Sequence, residues 1–325
     1  MENPVVDKTL PSLEQSPDRS PPLVSVLVKN YNCQSYVQQA IDSVESQTYP
    51  NIEIVIIDDG STDSSRQVID SCSTSSNRPF VKVYKANGGE ASALNAGFAA
   101  SRGDLICILD SDDLFLPEKV AAVVDIFERA SDIHWCFHDL RWIDANAELL
   151  PALSTQRSPS KSDLRERLRS GKLPPALPAS SALSFRRSLL KEIFPLPVAQ
   201  AIRTSDLYIK YAAAALSKGY FAGQVLALHR IHSNNAATFR PNIDNLKARK
   251  LIYTGTWISQ ELTGFKKFAN KLVGAGIGLN LKAGDRDPQN TQAIQAYLSN
   301  CSTRDRLKVR SIGLGYYVKE NLKRN

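Results

Sequence analysis

Four short apolar runs at nearly even spacing constrain this chain more than any other feature of its sequence. They consist mostly of β-branched and aliphatic residues, and two are almost continuously apolar, as strands covered on both faces must be. Between them, apolar residues recur at three- and four-residue steps, as in an amphipathic helix. Such alternation of strands and helices predicts a mainly parallel, Rossmann-like sheet flanked by helices. The runs cover residues 24–28, 52–57, 80–84 and 105–109, so that one unit takes 25 to 28 residues.

The chain beyond the fourth run continues the α/β pattern, with one long irregular stretch. Proline residues mark that stretch as loop-rich, and the helix and strand patterns resume after it. The predicted elements are a helix from about residue 117 to 130, a strand over 134–140, loops over 151–180, a helix over 204–217 and one bent or two short strands over 220–231.

Three regions of different composition are expected. Residues 1–22 are rich in proline and serine and lack the apolar segment of a secretory signal, so we expect a disordered tail. The strand–helix pattern predicts one α/β domain over residues 23–240. From about residue 242 the pattern is helical with glycine interruptions, which predicts a basic helical extension over residues 241–325.

The net charge is +7, and the positive charge is concentrated towards the C-terminus. Residues 241–325 contain 15 basic and six acidic residues, whereas the other 240 residues carry a net charge of −2. A basic segment on a near-neutral body indicates an anionic partner, and lipid headgroups, phosphorylated substrates and a merely solvated helix face remain open. Because no nucleic-acid recognition motif accompanies the charge, we expect no nucleic-acid partner.

Apolar residues at 312–318 lie between basic residues at 308–310 and 319–324. This pattern fits either an interfacial helix at a membrane surface or a plain surface helix. Gly313 and Gly315 weaken the helix prediction, since glycine is a poor helix former.

The five cysteines are an odd number without a C-x-x-C pair, which argues against a disulfide framework and a zinc knuckle. We expect reduced thiols in a reducing compartment. No stretch approaches the roughly 18 consecutive apolar residues that cross a bilayer. The sequence therefore predicts a cytoplasmic protein, either free or peripheral at the inner face of the membrane.

Acidic residues follow two of the predicted strands at the point where each strand ends. Asp58 and Asp59 follow the second strand, and the fourth runs into Asp110-Ser111-Asp112-Asp113. Ligands of open parallel sheets bind at the carboxyl ends of the strands, so both clusters are expected at one edge. Carboxylates there suit Mg²⁺ or Mn²⁺ on a nucleotide diphosphate. The alternative is helix capping, for which Asp63 and Asp113 are the candidates.

Other nucleotide and catalytic motifs are absent. The turn after the first strand reads KNYNC, so the G-x-G-x-x-G of a dinucleotide site is missing. The chain also lacks the P-loop motif and the G-x-S-x-G nucleophile elbow.

Three stretches carry a resemblance to a known family. They read PLVSVLVKNYN, TYPNIEIVIIDDGSTDSS and ANGGEASALNAGFAASRGDLICILDSDDLFLPEKV. In this order and at these intervals they resemble the N-terminal half of family 2 glycosyltransferases, inverting enzymes of the GT-A fold, over residues 22–120. A weaker resemblance follows in SALSFRRSLL, TSDLYIKYAAAALSKGY and HRIHSNN. The tail and the residues past about 240 lie outside it.

The resemblance implies transfer of a sugar from a nucleotide diphosphate, a UDP-sugar foremost, to a hydroxyl of a glycan, polysaccharide or lipid-linked acceptor. It implies Mn²⁺ or Mg²⁺ bound by Asp112, Asp110 and His232, with His229 as the alternative histidine, and Asp206 as the general base. Polysaccharide or cell-wall synthesis is the expectation at family level. The residues implied to bind the nucleotide are Asn30, Tyr31, Asp58, Asp59, Asn87, Gly88, Asp110 and Ser111.

The sequence departs from the family pattern at three places. Lys29 and Asn30 stand where Pro-Thr is usual before Tyr-Asn, Ser205 stands where Glu usually precedes the base, and Lys210 replaces a common Arg. The first change bears on nucleotide contacts and the second on the acceptor site. Ser205 leaves open a non-catalytic nucleotide-sugar-binding homologue. A nucleotidyltransferase is the other alternative, although the turn after the first strand lacks its glycine-rich, basic loop.

Overall fold

The computed structural model describes residues 20–151, 157–199, 206–232, 243–284 and 287–322. Most of the predicted disordered tail and Ser205 lie outside the described residues. Contacts group the chain into two units. The first comprises Met1–Asp163, Leu177–Leu196 and Leu216–Ile231, and the second comprises Leu164–Ala176, Pro197–Ala215 and His232–Asn325. The domain boundaries expected from composition, at residues 22 and 240, stay predictions.

Within the described residues, nine strands of the first unit form one sheet in the order β3-β2-β1-β4-β8-β6-β9-β5, with β7 also paired to β9. The first four strands in this order are parallel to one another, and β8 joins β4 to β6 by antiparallel pairing. The strands are β1 Val24–Asn30, β2 Ile52–Asp58, β3 Phe80–Tyr84, β4 Leu105–Asp110, β5 Leu114–Phe115, β6 Trp135–Ile143, β7 Ser160–Ser162, β8 Leu183–Arg186 and β9 Gly219–Arg230.

Helices flank this sheet in the first unit and make up most of the second. In the first unit they are α1 Val37–Glu45, α2 Ser65–Ser75, α3 Gly89–Ala100, α4 Lys119–Arg129 and α6 Arg187–Ile193, with a 3₁₀ turn at Ser180–Ala182. In the second they are α5 Arg165–Arg169, α7 Asp206–Leu216, α8 Ile243–Glu261, α9 Lys266–Lys282, α10 Pro288–Ser299 and α11 Thr303–Leu322.

The strands predicted from apolar runs are confirmed, and burial explains three of them, whereas β3 is partly exposed. Every residue of β2 is buried, and in β1 every residue but Lys29 is buried, because helices cover both faces. α1 presents Val37, Ala40, Ile41 and Val44 to the same core at helical spacing. All five cysteines are free, as expected, and four of them are buried.

The sequence did not predict β5, β7, β8 and α6. β8 has only four residues, and its pairing with β4 and β6 depends on partners far away in the chain. The stretch over 151–180, expected to be loops, contains β7 and α5. β9 is one strand whose pairing with β6 shifts register around Asp139. Elements this short carry no periodicity of their own, so only their partners reveal them.

Six glycines of the second unit lie inside helices, whereas Gly264 lies between α8 and α9 and interrupts the helical pattern as expected. α11 continues through Gly313 and Gly315, so a helix forms here despite the two glycines that weakened its prediction. A Cβ on Gly278 of α9 would lie 2.5 Å from Tyr316 Cβ, and one on Gly313 would lie 2.8 Å from Ile277 Cγ2. The missing side chains let α9 and α11 approach closely, which outweighs the low helix propensity of glycine.

No described helix is both long enough and apolar enough to pass through a lipid bilayer.

Candidate active site

The carboxyl ends of three neighbouring strands carry the polar residues expected there. In the parallel register, Asn30 at the end of β1 lies opposite Asp58 of β2, and Lys29 lies opposite Asp110 of β4. This edge therefore brings together residues that are 28 positions apart in the first pair and 81 in the second.

Asp58 is fully buried, and its carboxylate is held by the protein. Its Oδ1 accepts from Arg66 Nε at 2.7 Å and from the Ser61 amide at 3.1 Å, and its Oδ2 accepts from Asn30 Nδ2 at 2.8 Å. Burial alone would raise the pKa of Asp58, but these hydrogen bonds together lower it below its ordinary value. The hydrogen bond between Asn30 and Asp58 thus links the ends of β1 and β2.

Asp59 connects the end of β2 to the first turn of α3. Its carboxylate accepts from Lys85 Nζ at 2.5 Å and from the amides of Gly88 at 3.0 Å and Gly89 at 2.7 Å. Asn87 Nδ2 donates to the Asp59 carbonyl at 2.9 Å. An anionic group at a helix N-terminus is favourable because the amides there lack helical partners. Asp59, Asn87 and Gly88 therefore form one linked turn.

Gly60 makes that turn possible. Its φ is +78°, and a Cβ at this position would lie 2.6 Å from the Asn87 amide nitrogen. Only glycine accepts this conformation and this close approach without displacing the neighbouring backbone.

Three carboxylates after β4 form the one group in the described chain whose donor atoms lie within 4.8 Å of one another in a metal-binding arrangement. They are Asp110, Asp112 and Asp113. Carboxylate oxygens are the ligands that Mg²⁺ and Mn²⁺ prefer, so the donor set fits a hard divalent cation.

Asp113 differs from the other two acids because its side chain is fully buried. Several groups of the protein also contact its carboxylate. It accepts from Ser181 Oγ at 2.6 Å and from the Arg230 amide at 2.8 Å, and it lies 3.0 Å from His229 Nδ1. Asp113 does not cap α4, because that helix begins at Lys119 with Glu118 as its N-cap. Asp113 joins the turn after β4 to β9, while Asp110 and Asp112 are only partly buried.

Lys29 places an ammonium group beside Asp110. Its Nζ lies 2.6 Å from Asp110 Oδ1 and 3.2 Å from Ser180 Oγ, and it also pairs with Glu90. Burial would lower the pKa of Lys29, but the two carboxylates raise it above its ordinary value. Burial and the neighbouring carboxylates raise the pKa of Asp110 to about 7, although the charge of Lys29 opposes that rise.

His229 and Arg230 at the end of β9 complete this side of the edge. Burial opposes the charged form of His229, but Asp113 and the other acids raise its pKa to about 9. The Nδ1 atom of His229 lies 3.0 and 3.1 Å from the two carboxylate oxygens of Asp113. Arg230 is fully buried, and its Nε donates to the Asp112 carbonyl at 2.8 Å. Arg230 lies in the HRIHSNN stretch, of which the sequence analysis singled out only the histidines.

The other predicted site residues include Tyr31, Ser111 and Asp206. Tyr31 is exposed, and Ser111 is buried with its amide donating to the Lys29 carbonyl at 3.0 Å. Asp206 begins α7 in the second unit, where its Oδ2 accepts from Lys210 Nζ at 2.8 Å. Lys250 Nζ lies 3.8 Å from Asp206 Oδ1.

His232 also belongs to the second unit. The roles expected of Asp206, His232 and the nucleotide-binding residues stay predictions.

Comparison with known sequences decides the family. The model of the family described as "Glycosyl transferase family 2" matches residues 25–194, which is just over half of the chain. The chain belongs to glycosyltransferase family 2. The matched range contains the acidic edge, including Asp58, Asp59 and the Asp110–Asp113 turn, and so the resemblance seen in the sequence is confirmed.

Relatives in this family are themselves named as glycosyltransferases. An uncharacterized glycosyltransferase of Nostoc is 37% identical over 212 residues, which are 65% of this chain and 66% of the relative. One of Rickettsia typhi is 30% identical over 238 residues, 72% of this chain and 71% of the relative. The hyaluronan synthase of Pasteurella multocida is 34% identical over 148 residues, 45% of this chain but only 15% of the synthase.

Solved structures show that the fold is GT-A. S. aureus TarS residues 1–349, in complex with UDP-GlcNAc, aligns with a TM-score of 0.65 at 15% identity and covers 93% of this chain and 92% of that one. The mannosyltransferase PcManGT of Pyrobaculum calidifontis, in complex with GDP-Man and Mn²⁺, aligns with a TM-score of 0.56 at 17% identity, covering 90% and 79%. The family 2 chain is thus a glycosyltransferase of the GT-A fold.

Proposed function

We propose that this family 2 enzyme transfers a sugar from a nucleotide diphosphate to an acceptor hydroxyl with inversion at the anomeric carbon. Asp110 and Asp112 hold Mn²⁺ or Mg²⁺, Asp206 is the general base, and His232 is the candidate third ligand. The observation that carries the proposal is the acid turn after β4, where donor atoms of three carboxylates lie within 4.8 Å of one another. It is supported by the structural neighbours, which contain UDP-GlcNAc, or GDP-Man with Mn²⁺.

Burial within the acid turn favours Asp110 and Asp112 as the ligands, because both are partly buried whereas Asp113 is fully buried. Asp113 is buried and committed to Ser181, His229 and Arg230, while Asp110 shares its charge with Lys29. A bound divalent cation would neutralise charge that develops on the departing diphosphate. Lys29 adds a fixed positive charge at the same edge, in the place where the family usually has Pro-Thr.

Inversion in a single displacement requires one base that removes the acceptor proton while the oxygen attacks opposite the departing diphosphate. No covalent intermediate on the protein is needed. Asp206 is the candidate because α7 resembles the family helix that carries the base. Lys210, in place of the usual Arg, donates to Asp206 at 2.8 Å and orients the carboxylate.

A panel of UDP- and GDP-sugars, each with Mn²⁺, screened for binding and for slow donor hydrolysis would identify the donor. We then expect Asp206→Asn to reduce kcat of hydrolysis by about 10²- to 10⁴-fold, since loss of a general base has that effect. Binding of UDP with Mn²⁺ should not change.

The matched control is Asp244→Asn, which removes another lysine-paired aspartate of the second unit, 3.2 Å from Lys282. Equal hydrolysis by Asp206→Asn and the wild type would contradict the assignment of the base. Binding without hydrolysis or transfer in the wild type would instead support a non-catalytic homologue.

A further inference from the structure

A groove in the second unit combines positive charge with a neighbouring apolar helix face. It has a volume of about 520 Å³ and lies between residues 167–173, α9 and α11. Among the described residues that line it, four are basic and none is acidic. The basic residues are Arg167, Lys172, Lys271 and Lys319.

Two of the four basic side chains of the groove contact neighbouring groups of the protein. Arg167 Nε donates to the Leu173 carbonyl at 2.6 Å, and Lys271 Nζ lies 5.4 Å from the centre of the Tyr316 ring. Tyr316 itself lines the groove. Several cations around one concave surface, with no carboxylate in its described lining, attract an anion such as a phosphate group.

Four large aliphatic residues of α11 are exposed in a row along the helix. Leu307, Leu314, Val318 and Leu322 are each more than half exposed. Their spacing of seven, four and four residues places them along one stripe of the helix. Exposed large apolar residues in such a row indicate a surface that contacts something apolar.

The acidic and the basic residues of α11 lie on different faces of the helix. Asp305 Oδ1 accepts from Asn270 Nδ2 of α9 at 3.2 Å, and Glu320 lies 3.7 Å from Lys282 of α9. Arg304, Lys308, Arg310 and Lys319 are exposed. The acids of this helix therefore face α9, while the surface beside the apolar stripe is basic.

The groove and the stripe lie next to each other on α11. Gly315 and Lys319 line the groove and directly follow Leu314 and Val318 of the stripe. Consecutive residues of an α-helix are separated by about 100° around its axis. The groove therefore opens to the side of the stripe, roughly a quarter turn around α11.

We propose that α11 lies in the interface of an anionic lipid membrane, with a lipid phosphate bound among Arg167, Lys172, Lys271 and Lys319. Apolar residues flanked by lysine and arginine are the composition that enters the headgroup region of a bilayer. This inference does not depend on the proposed reaction, because none of its residues belongs to the candidate active site.

Vesicle sedimentation with the full chain tests the proposal. We expect binding to phosphatidylcholine vesicles that contain phosphatidylglycerol and little binding to phosphatidylcholine alone. Each basic residue near an anionic surface contributes about fivefold to partitioning, so Lys271→Gln with Lys319→Gln should weaken binding about thirtyfold. Leu314→Ser with Val318→Ser should weaken it as well.

The matched controls are Lys82→Gln with Lys191→Gln, and Leu149→Ser, which make the same chemical changes at positions of the first unit. They should bind as the wild type does. Thermal unfolding of every variant confirms that it is folded, and donor hydrolysis should be unchanged in the groove variant.

Equal binding by the groove variant and the wild type would overturn the proposal, as would equal binding to neutral vesicles. Stabilisation by inorganic phosphate without vesicle binding would overturn it in favour of a soluble phosphate ligand. Loss of a dimer in the stripe variant, without vesicle binding by the wild type, would overturn it in favour of contact between copies of the chain.

Discussion

Glu53 is a buried carboxylate within the otherwise apolar beginning of β2. It accepts from Ser25 Oγ at 2.6 Å and from the Gly103 amide at 3.1 Å, and Arg102 also donates to it. Burial alone would raise the pKa of Glu53, but these hydrogen bonds lower it. Glu53 thus links the turn before β4 to β2 by hydrogen bonds.

This shift predicts a dependence of stability on pH. Because the folded-state pKa is below the unfolded value of about 4.3, the contribution of Glu53 is fully present above that value and is lost as pH falls through the folded-state pKa. Glu53→Gln should cost about 2 kcal/mol at neutral pH. The difference from the wild type should shrink in acid.

Urea unfolding of both proteins across the acid range measures this difference. Glu166→Gln is the control, since its side chain is 90% exposed. A difference that stays constant to the lowest pH would contradict the assignment.

Neighbouring aspartates in the acid turn should respond differently to the same substitution. Asp113→Asn removes the charged carboxylate that Ser181, His229 and the Arg230 amide contact. We therefore expect a loss of about 3 kcal/mol in unfolding free energy. Asp112→Asn should change stability by about 0.5 kcal/mol or less but remove the stabilisation by UDP with Mn²⁺. Thermal unfolding with and without Mn²⁺ separates the two effects. An unchanged Mn²⁺ response in Asp112→Asn would refute the metal assignment.

At the scale of elements, the crossing of α9 and α11 depends on glycines that the sequence presents as helix breakers. Gly278→Ala would place a Cβ 2.5 Å from Tyr316 Cβ and 2.7 Å from the Gly313 carbonyl oxygen. Since such overpacking forces the helices apart, we expect a loss of about 1 to 3 kcal/mol.

Gly315→Ala provides the matched comparison on α11. A Cβ at this position would have no neighbour within 4 Å among the described residues, so the substitution should stabilise the helix by up to about 1 kcal/mol. Urea unfolding of both variants measures the contrast. Equal effects of the same sign would show that helix propensity, and not the crossing, controls these positions.

At the scale of the whole molecule, ligand binding should stabilise one part of the chain more than the rest. UDP at 100 times its Kd adds about 2.7 kcal/mol to the free energy of unfolding. Hydrogen exchange with UDP and Mn²⁺ should show new protection at the ends of β1, β2 and β4. α9 and α11 should exchange as before, because they contain none of the proposed nucleotide ligands. Protection confined to α9 and α11 would contradict the placement of the nucleotide.

The sequence alone determined the strands β1, β2 and β4, because continuous apolar runs are stable only where both faces of a sheet are covered, and it also marked the partly exposed β3 by its β-branched and aromatic residues. It also determined the family and the position of the acids, since strand ends and motifs are local properties. Only the tertiary structure decided which groups each acid of the turn contacts. Asp113 is committed to Arg230, 117 residues away, and Lys29 pairs with Asp110. Such contacts, like the pairing of β8 and the approach of α9 to α11, join distant parts of the chain, so no local pattern encodes them.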